Sequence, residues 1–353
     1  MKKYKSMLLT GIIAFTMFIT SCATTVTVSY MQPAKFNLSD YKNLAIASTN
    51  VVTAPSYYSS RIHIDYDNYS KYISSGYSRL IPSNISDYYT NKVYKNLSNS
   101  NLFNIIPPSV TDQYLKGIRY GFSNSSQLYD KGADAIFTSE IEYLDYSEYP
   151  VYGDYLRTRN PNYVLGGVEP EYIDSDVRRV TIVQIANMKI SYSIIDLQSG
   201  DILATNSYSK QYKNTVVLGS YTDLDAEWMF EEIADTFVAT TKEDLVPHTV
   251  YTSLELMDNK PKNGLASQAM KLVDKNQLLQ AQILFEQAWD ESNHLPSGYN
   301  SALLLEAMGK RSDAMIIMSD VYNKTGSTAA MREYSRMKSY ESSSAMAQQQ
   351  IED

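Results

Sequence analysis

The sequence carries one cysteine, three histidines and two tryptophans in 353 residues. A lone thiol forms no intrachain disulfide and builds no cysteine-based metal site. His63, His248 and His294 lie in separate segments, and none has a second ligand at i+3 or i+4, so the spacing supports no metal centre. Gly166-Gly167 is not followed by a phosphate-binding spacing or by Lys-Ser/Thr. A Gly-x-Ser-x-Gly elbow is absent. Basic charge is in deficit, with a net charge of −8, which repels phosphate backbones and argues against nucleic acid as a partner. No catalytic set, metal or cofactor is therefore assigned.

What is present begins at the amino terminus. Lys2, Lys3 and Lys5 precede an apolar run from Met7 to Ile19. That run is shorter than the ~20 residues of a spanning helix, and with its basic head it reads as a secretory signal peptide. Its end, Ile19-Thr20-Ser21-Cys22, resembles the lipobox of bacterial lipoproteins: an aliphatic residue, two small residues and a cysteine. The resemblance implies cleavage between Ser21 and Cys22, diacylglyceryl and palmitate-type acylation of Cys22, and anchoring in membrane lipid. Two or more acyl chains hold firmly where one holds marginally. Ala23, rather than Asp, after the cysteine implies the outer membrane under the sorting rule of enteric bacteria. A lipid-anchored protein facing the periplasm is expected, with the cell surface as the other orientation. Loss of residues 1–21 removes three lysines, leaving 28 basic against 39 acidic side chains, a net charge of −11.

The mature length exceeds what one hydrophobic core usually serves. Residues 22–42 read as a lipidated tether, and residues 43–246 as an α/β domain of a sheet with flanking helices. Its expected elements are a strand at 43–48, a helix from an N-cap at Ser83 to residue 98, and a strand at 102–106. A helical stretch at 111–131 and a strand at 133–141 follow. Val180, Ile182, Ala186, Met188, Ile190, Tyr192 and Ile194 keep period two along a long strand. Asp196 to Asp201 turns it into a hairpin reaching residue 212, and a helix follows over 223–242. Residues 50–80 and 143–176 read as two Tyr-rich inserts, the second broken by turns at Pro and Gly. Tyr combines an apolar ring with a polar tip, which suits binding faces, although gene composition gives the same bias. Tyr57, Tyr58, Tyr66, Tyr152, Tyr155 and Tyr299 are the candidate partner-binding residues.

Gly132-Ala133-Asp134 at a strand start, and the Asp196–Asp201 turn, make this layout resemble a superfamily of envelope lipoproteins. That superfamily contains the curli secretion protein CsgG, the penicillin-binding-protein activator LpoB and the TolB amino-terminal domain. The resemblance covers residues 35–245 and rests on residues that mark turns.

Residues 247–262 read as a linker with one short extended piece. Beyond it, Ala281, Phe285 and Ala288 are matched 33 residues later by Ala314, Met318 and Val321. Ala269 and Leu272 are matched by Ala302 and Leu305, and Asn276 by Gly309. A 33- to 34-residue period of small and bulky residues resembles a tetratricopeptide repeat. Two repeats and a capping helix (327–345) are expected over 263–345, with a tail at 346–353; an ordinary helical hairpin bundle is the plainer reading.

These features imply a non-enzymatic, membrane-anchored scaffold or adaptor in cell-envelope assembly, binding envelope proteins through the repeats and the α/β domain, with homo-oligomerisation open. Two alternatives stand beside it. One is a subunit of a CsgG-like oligomeric secretion pore, against which the polarity of residues 143–176 counts. The other is a cell-wall enzyme with a dispersed site, for which Glu140 and Glu142, sharing one strand face, are the carboxylate pair. A solvated strand face is the expectation for these two, and a charged strand end for Arg178-Arg179.

Overall fold

The computed structural model describes residues 24–52, 56–58, 84–118, 125–159, 172–217 and 227–352. The fold is mixed α/β, a sheet region followed by a helical region. It divides into a sheet unit, residues 34–246, and a helical unit in which the chain up to Pro33 joins residues 247–352. Strand β1 (Thr25–Gln32) belongs to the helical unit and is taken up with it.

In the sheet unit, β2 (Asn43–Ile46) lies parallel between β5 (Asn104–Ile106) and β6 (Ala135–Arg159). Leu44, Ala45 and Ile46 are fully buried, the continuous apolar run of a strand covered on both faces. β3 (Asn50–Val51) and β4 (Ser56–Tyr58) continue along the same edge of β6. On its other side β6 pairs antiparallel with β7 (Tyr172–Asp196), and β7 with β8 (Ile202–Val217). Helix α1 (Ile85–Ser98) and helix α4 (Glu227–Leu245) bury Tyr89, Val93 and Leu97, and Phe230, Ile233 and Phe237, against one face. Ile182, Ala186, Met188, Ile190, Tyr192 and Ile194 of β7 are buried, as their period-two spacing requires. Gln184 interrupts the apolar series and is satisfied, donating to Tyr146 Oη (2.8 Å) and accepting from Asn214 (2.8 Å). Helices α2 (Pro108–Ile118) and α3 (Ser125–Asp130) accompany a smaller cluster of Ala45, Ala47, Leu128, Ala133 and Ile136.

The turn residues singled out in the sequence do structural work. Asp134 accepts from the backbone and side-chain nitrogens of Asn43 (2.8 and 3.0 Å), fixing the start of β2 beside β6. Asp196 accepts from the backbone of Gln198 and Ser199 (2.6 and 3.0 Å), and Gly200 closes the turn at φ +80°.

The reading of 143–176 as a turn-rich insert is corrected over 143–159 and 172–176, residues 160–171 lying outside the described residues: β6 and β7 are strands of 25 residues each, paired from Ala135↔Asp196 to Arg159↔Tyr172. Pro150 is tolerated because β4 pairs with β6 only over Asp145–Ser147, leaving this stretch of β6 an edge on that side among the described residues. Irregular register between Tyr152 and Arg157 absorbs Gly153-Asp154.

The tether and linker readings are corrected as well. β1 pairs with β9 (His248–Glu255) over eight antiparallel positions, from Thr25↔Glu255 to Gln32↔His248. Val26 and Val28 of this ribbon are buried, Val26 in the core of the helical unit. That core is built by α5 (Gly264–Val273), α6 (Leu278–Ser292), α7 (Leu295–Ala307), α8 (Arg311–Thr325) and α9 (Thr328–Glu352). The 33-residue period is visible here. Ala281, Phe285 and Ala288, and their counterparts Ala314, Met318 and Val321, are all fully buried. Asn276 and Gly309 take positive φ (56° and 78°) at equivalent turns, and Asn293 and Gly326 (51° and 66°) end the equivalent helices α6 and α8. Gly298 of α7 lets helices approach closely; a Cβ there would lie 2.5 Å from Val321 and 2.7 Å from Trp289. The expected tail at 346–353 is instead the end of α9, helical to Glu352.

The ends of the sheet unit meet at Asp244. Its buried carboxylate accepts from Tyr192 (2.8 Å), from Asn206 (2.7 Å) and from Tyr208, while its backbone carbonyl accepts from Phe36 N–H (3.0 Å). Burial, then the bond to Asp244, holds both phenols above their ordinary pKa of 10. Burial also pushes Tyr89, bonded to Thr241, up to about 12. A raised folded pKa contributes stability that is complete below the unfolded value and lost as pH rises through the folded one. Stability of the sheet unit is thus expected to hold up to pH ~10 and to fall above it. Tyr192→Phe should cost about 1–3 kcal/mol at pH 7 and flatten that alkaline fall. Denaturant titrations at pH 7 to 11 check both.

Candidate functional site

Side chains of α5, α7, α8 and α9 grip an extended stretch of the chain itself. Asn300 of α7, fully buried, donates to the carbonyl of Met257 (2.9 Å) and accepts from its N–H (2.7 Å), reading the backbone as a neighbouring strand would. On α5, Ser267 accepts from Asn259 (2.7 Å). Asn263 caps that helix through Leu265 and Ala266 N–H (2.9 and 3.1 Å), as expected of an asparagine N-cap. His294 is tied to Ser297 Oγ (2.6 Å) and to the carbonyl of Pro261 (2.7 Å), so it holds a loop.

β1 is held by a buried ion cluster. Glu306 has a side chain with no solvent exposure; it accepts from Arg311 Nε (3.1 Å) and, bidentately, from Arg336 (3.1 and 2.5 Å). Arg336 also reaches Glu333 (2.6 Å). Burial pulls the Arg336 guanidinium down, but its bonds to Glu306 and Glu333 outweigh this and leave it above its ordinary value. Arg311 donates in turn to the carbonyl of Ser29 (2.5 Å). Tyr30 stacks on Tyr340 at 3.7 Å between ring centres, with Arg336 4.9 Å from the Tyr340 ring, and Ser344 Oγ accepts from Met31 N–H (3.2 Å). The bonds to Ser29, Met31, Met257 and Pro261 all address backbone groups, so these helices hold extended segments of the chain itself.

The residues marked in the sequence fall out as follows. Ser21, Cys22 and Tyr66, together with Ser83 and His63, lie outside the described residues. Tyr57 and Tyr58 sit in β4, opposite Tyr146 and Ser147 of β6. Tyr152 and Tyr155 sit in β6, opposite Val180 and Arg178. Tyr299 offers little surface: it is buried in the helical core, and burial pushes its hydroxyl up to about 12. Glu140 and Glu142 flank the register shift at Ile141/Tyr143 and have separate partners: Glu142 pairs with Lys189 (2.5 Å), which holds it below the usual carboxylate range, and Glu140 accepts from Asn50 (3.2 Å). Among the described residues, no group of three or more His, Cys, Asp or Glu is placed to hold a metal ion. Sequence reading missed the Glu306–Arg311–Arg336 cluster and Asn300. The available signal was a Glu, an Arg and an Asn on helices otherwise rich in buried apolar residues.

No protein-family model and no curated protein matches the chain. Solved structures that align with it include the PelC dodecamer from Paraburkholderia phytofirmans, 9% identical, covering 63% of this chain and 97% of that one, with a TM-score of 0.26. The lipoprotein GNA1162 from Neisseria meningitidis is 10% identical over 56% of this chain and 99% of that one (TM-score 0.24). The hypothetical protein CT253 from Chlamydia trachomatis is 10% identical over 57% and 96% (TM-score 0.27). Superpositions this loose carry no argument about activity.

Removing a buried pair's shared partner strands the remaining charges. Glu306→Ala is expected to destabilise the helical unit by about 3–5 kcal/mol, whereas exposed Lys260→Ala, which removes the solvent-screened Asp258 pair, should leave its stability essentially unchanged. Tryptophan fluorescence of Trp289 during denaturant unfolding gives both values.

Proposed function

We propose that this protein is a membrane-anchored bacterial lipoprotein acting as a non-enzymatic adaptor in the cell envelope, held through acylated Cys22 and docking partner proteins. The observation that supports it most is the pairing of a lipobox with a helical unit of period 33, which resembles a tetratricopeptide repeat, a scaffold that stacks helix pairs into a docking surface. The repeat face that reads extended backbone is filled by the chain's own ribbon. Partner docking is therefore assigned to the outer surface of the second helices, where Ile283 of α6 and Ile316 of α8 occupy equivalent repeat positions and are 53% and 70% exposed. The outer membrane is the location that Ala23 implies under the enteric sorting rule, and the periplasm-facing orientation is proposed because no run of acidic residues follows Cys22. No helix among the described residues is long and apolar enough to cross a membrane, so the acyl chains supply the anchor in this reading.

The secretion-pore reading gains a hairpin and loses on its composition. Beyond the Val151↔Thr181 pair, β6 and β7 stay paired to Arg159↔Tyr172, a two-stranded arm among the described residues and about the 9–11 residues of a barrel strand. Yet every alternating set in that arm carries charge: Asp154 and Arg157 on β6, Asp174 and Arg179 on β7. A strand facing lipid tolerates such residues at a cost of about 2–4 kcal/mol each near the midplane.

Cys22→Ser should shift the protein from the membrane to the soluble fraction and abolish incorporation of labelled fatty acid. A photo-cross-linker at Ile283 or Ile316 in intact cells should give a discrete protein adduct, and one at exposed Tyr251 should not. Fractionation unchanged by Cys22→Ser rejects the anchor; step conductances in planar bilayers would favour the pore.

A further inference from the structure

We infer that the helical unit is the body held against the bilayer, with the Thr25/Glu255 end of the β1–β9 ribbon meeting the phospholipid headgroups. This rests on the reading of Cys22 as the lipidated residue. Acylation fixes that residue's backbone at headgroup level, because its chains enter the hydrocarbon.

The distance from there to folded protein is set by covalent geometry. Thr24 is already tied down, its carbonyl accepting from Leu256 N–H (2.9 Å), and β1 begins at the next residue. Only Ala23 stands between Cys22 and Thr24. At ~3.8 Å per Cα step, the two are at most about 7–8 Å apart. β1 cannot lengthen this leash by peeling away. Doing so would expose the buried apolar side chains of Val26 and Val28 to water. It would also break the Arg311–Ser29 and Ser344–Met31 bonds and the Tyr30–Tyr340 stack.

Charge does not oppose close approach at this end. Residues 24–32 carry none, and over residues 249–263 Glu255 and Asp258 are balanced by Lys260 and Lys262, in a chain that is acidic as a whole. The two connections to the sheet unit, Pro33–Ala34 and Val246–Pro247, follow the opposite, Gln32/His248 end of the ribbon, about 23 Å from Thr25/Glu255 at ~3.3 Å per residue.

The test places one fluorophore at a time on the full-length protein, purified with its anchor from membranes and reconstituted into phosphatidylcholine–phosphatidylglycerol vesicles. Glu255→Cys and Thr249→Cys put thiols at two exposed positions of the same strand, about 20 Å apart; an acylated Cys22 takes no maleimide. Quenching by headgroup-nitroxide lipid is expected to be several-fold stronger at 255 than at 249. Equal quenching, or stronger quenching at 249, overturns the orientation. If instead the unsubstituted protein takes label at Cys22 and fails to float with vesicles, the anchor reading fails, and the orientation with it. Matching thermal unfolding of both labelled proteins and the parent confirms that the ribbon is intact.

Discussion

Asp244 closes the sheet unit on itself. Its side chain draws Tyr192 and Tyr208 from two neighbouring strands into one buried cluster, while its backbone carbonyl holds Phe36 at the other end of the same unit. Chain entry and exit are thereby brought side by side. Without that closure, pairing β1 with β9 would carry a loop-closure cost of about 5 kcal/mol for a span of some two hundred residues. With it, Gln32 meets His248 at little further entropic cost, and six more rungs follow to Val26↔Leu254. The sheet unit is in effect an insertion between two strands of the helical unit.

The ribbon so formed decides how the helical unit behaves. A buried Glu306 shared by Arg311 and Arg336 is a costly arrangement in isolation, and an apolar substitute of similar volume often matches it in stability. What the cluster adds is placement: Arg311 also binds the Ser29 carbonyl, and Arg336 sits beside the ring on which Tyr30 stacks. The same helices read Met257 through Asn300. A face that holds extended chain is thus filled from within. Two of the apolar side chains left in solvent, Ile283 and Ile316, recur on the repeat period, which is why the adaptor reading places partners there.

Much of the fold was legible because it is periodic. Period two over 180–194 located β7 and its buried face, and the 33-residue period placed the paired helices and their left-handed turn residues. Thr25-Val26-Thr27-Val28 also alternates, with β-branched residues throughout, but a short strand with no visible partner reads as tether. Residues 143–159 were misread for the converse reason: Pro150 and Gly153 are breaker residues, yet an edge of β6 accepts a proline and a register shift accepts a glycine. Tyr299 followed composition, in which tyrosine suits a binding face; its place on α7 buries it.

The sequence by itself determined the local elements, the turns at Asp134 and Asp196, the helical period and the likeness of residues 19–22 to a lipobox, because each is written in residues close together along the chain. Only the tertiary structure decided that β1 belongs with the carboxy-terminal helices, that Glu142 is taken by Lys189, and that Glu306 is enclosed by two arginines. These depend on which strand edges and buried charges remain unsatisfied once the elements have packed, and local spacing does not encode the pairing of groups hundreds of residues apart.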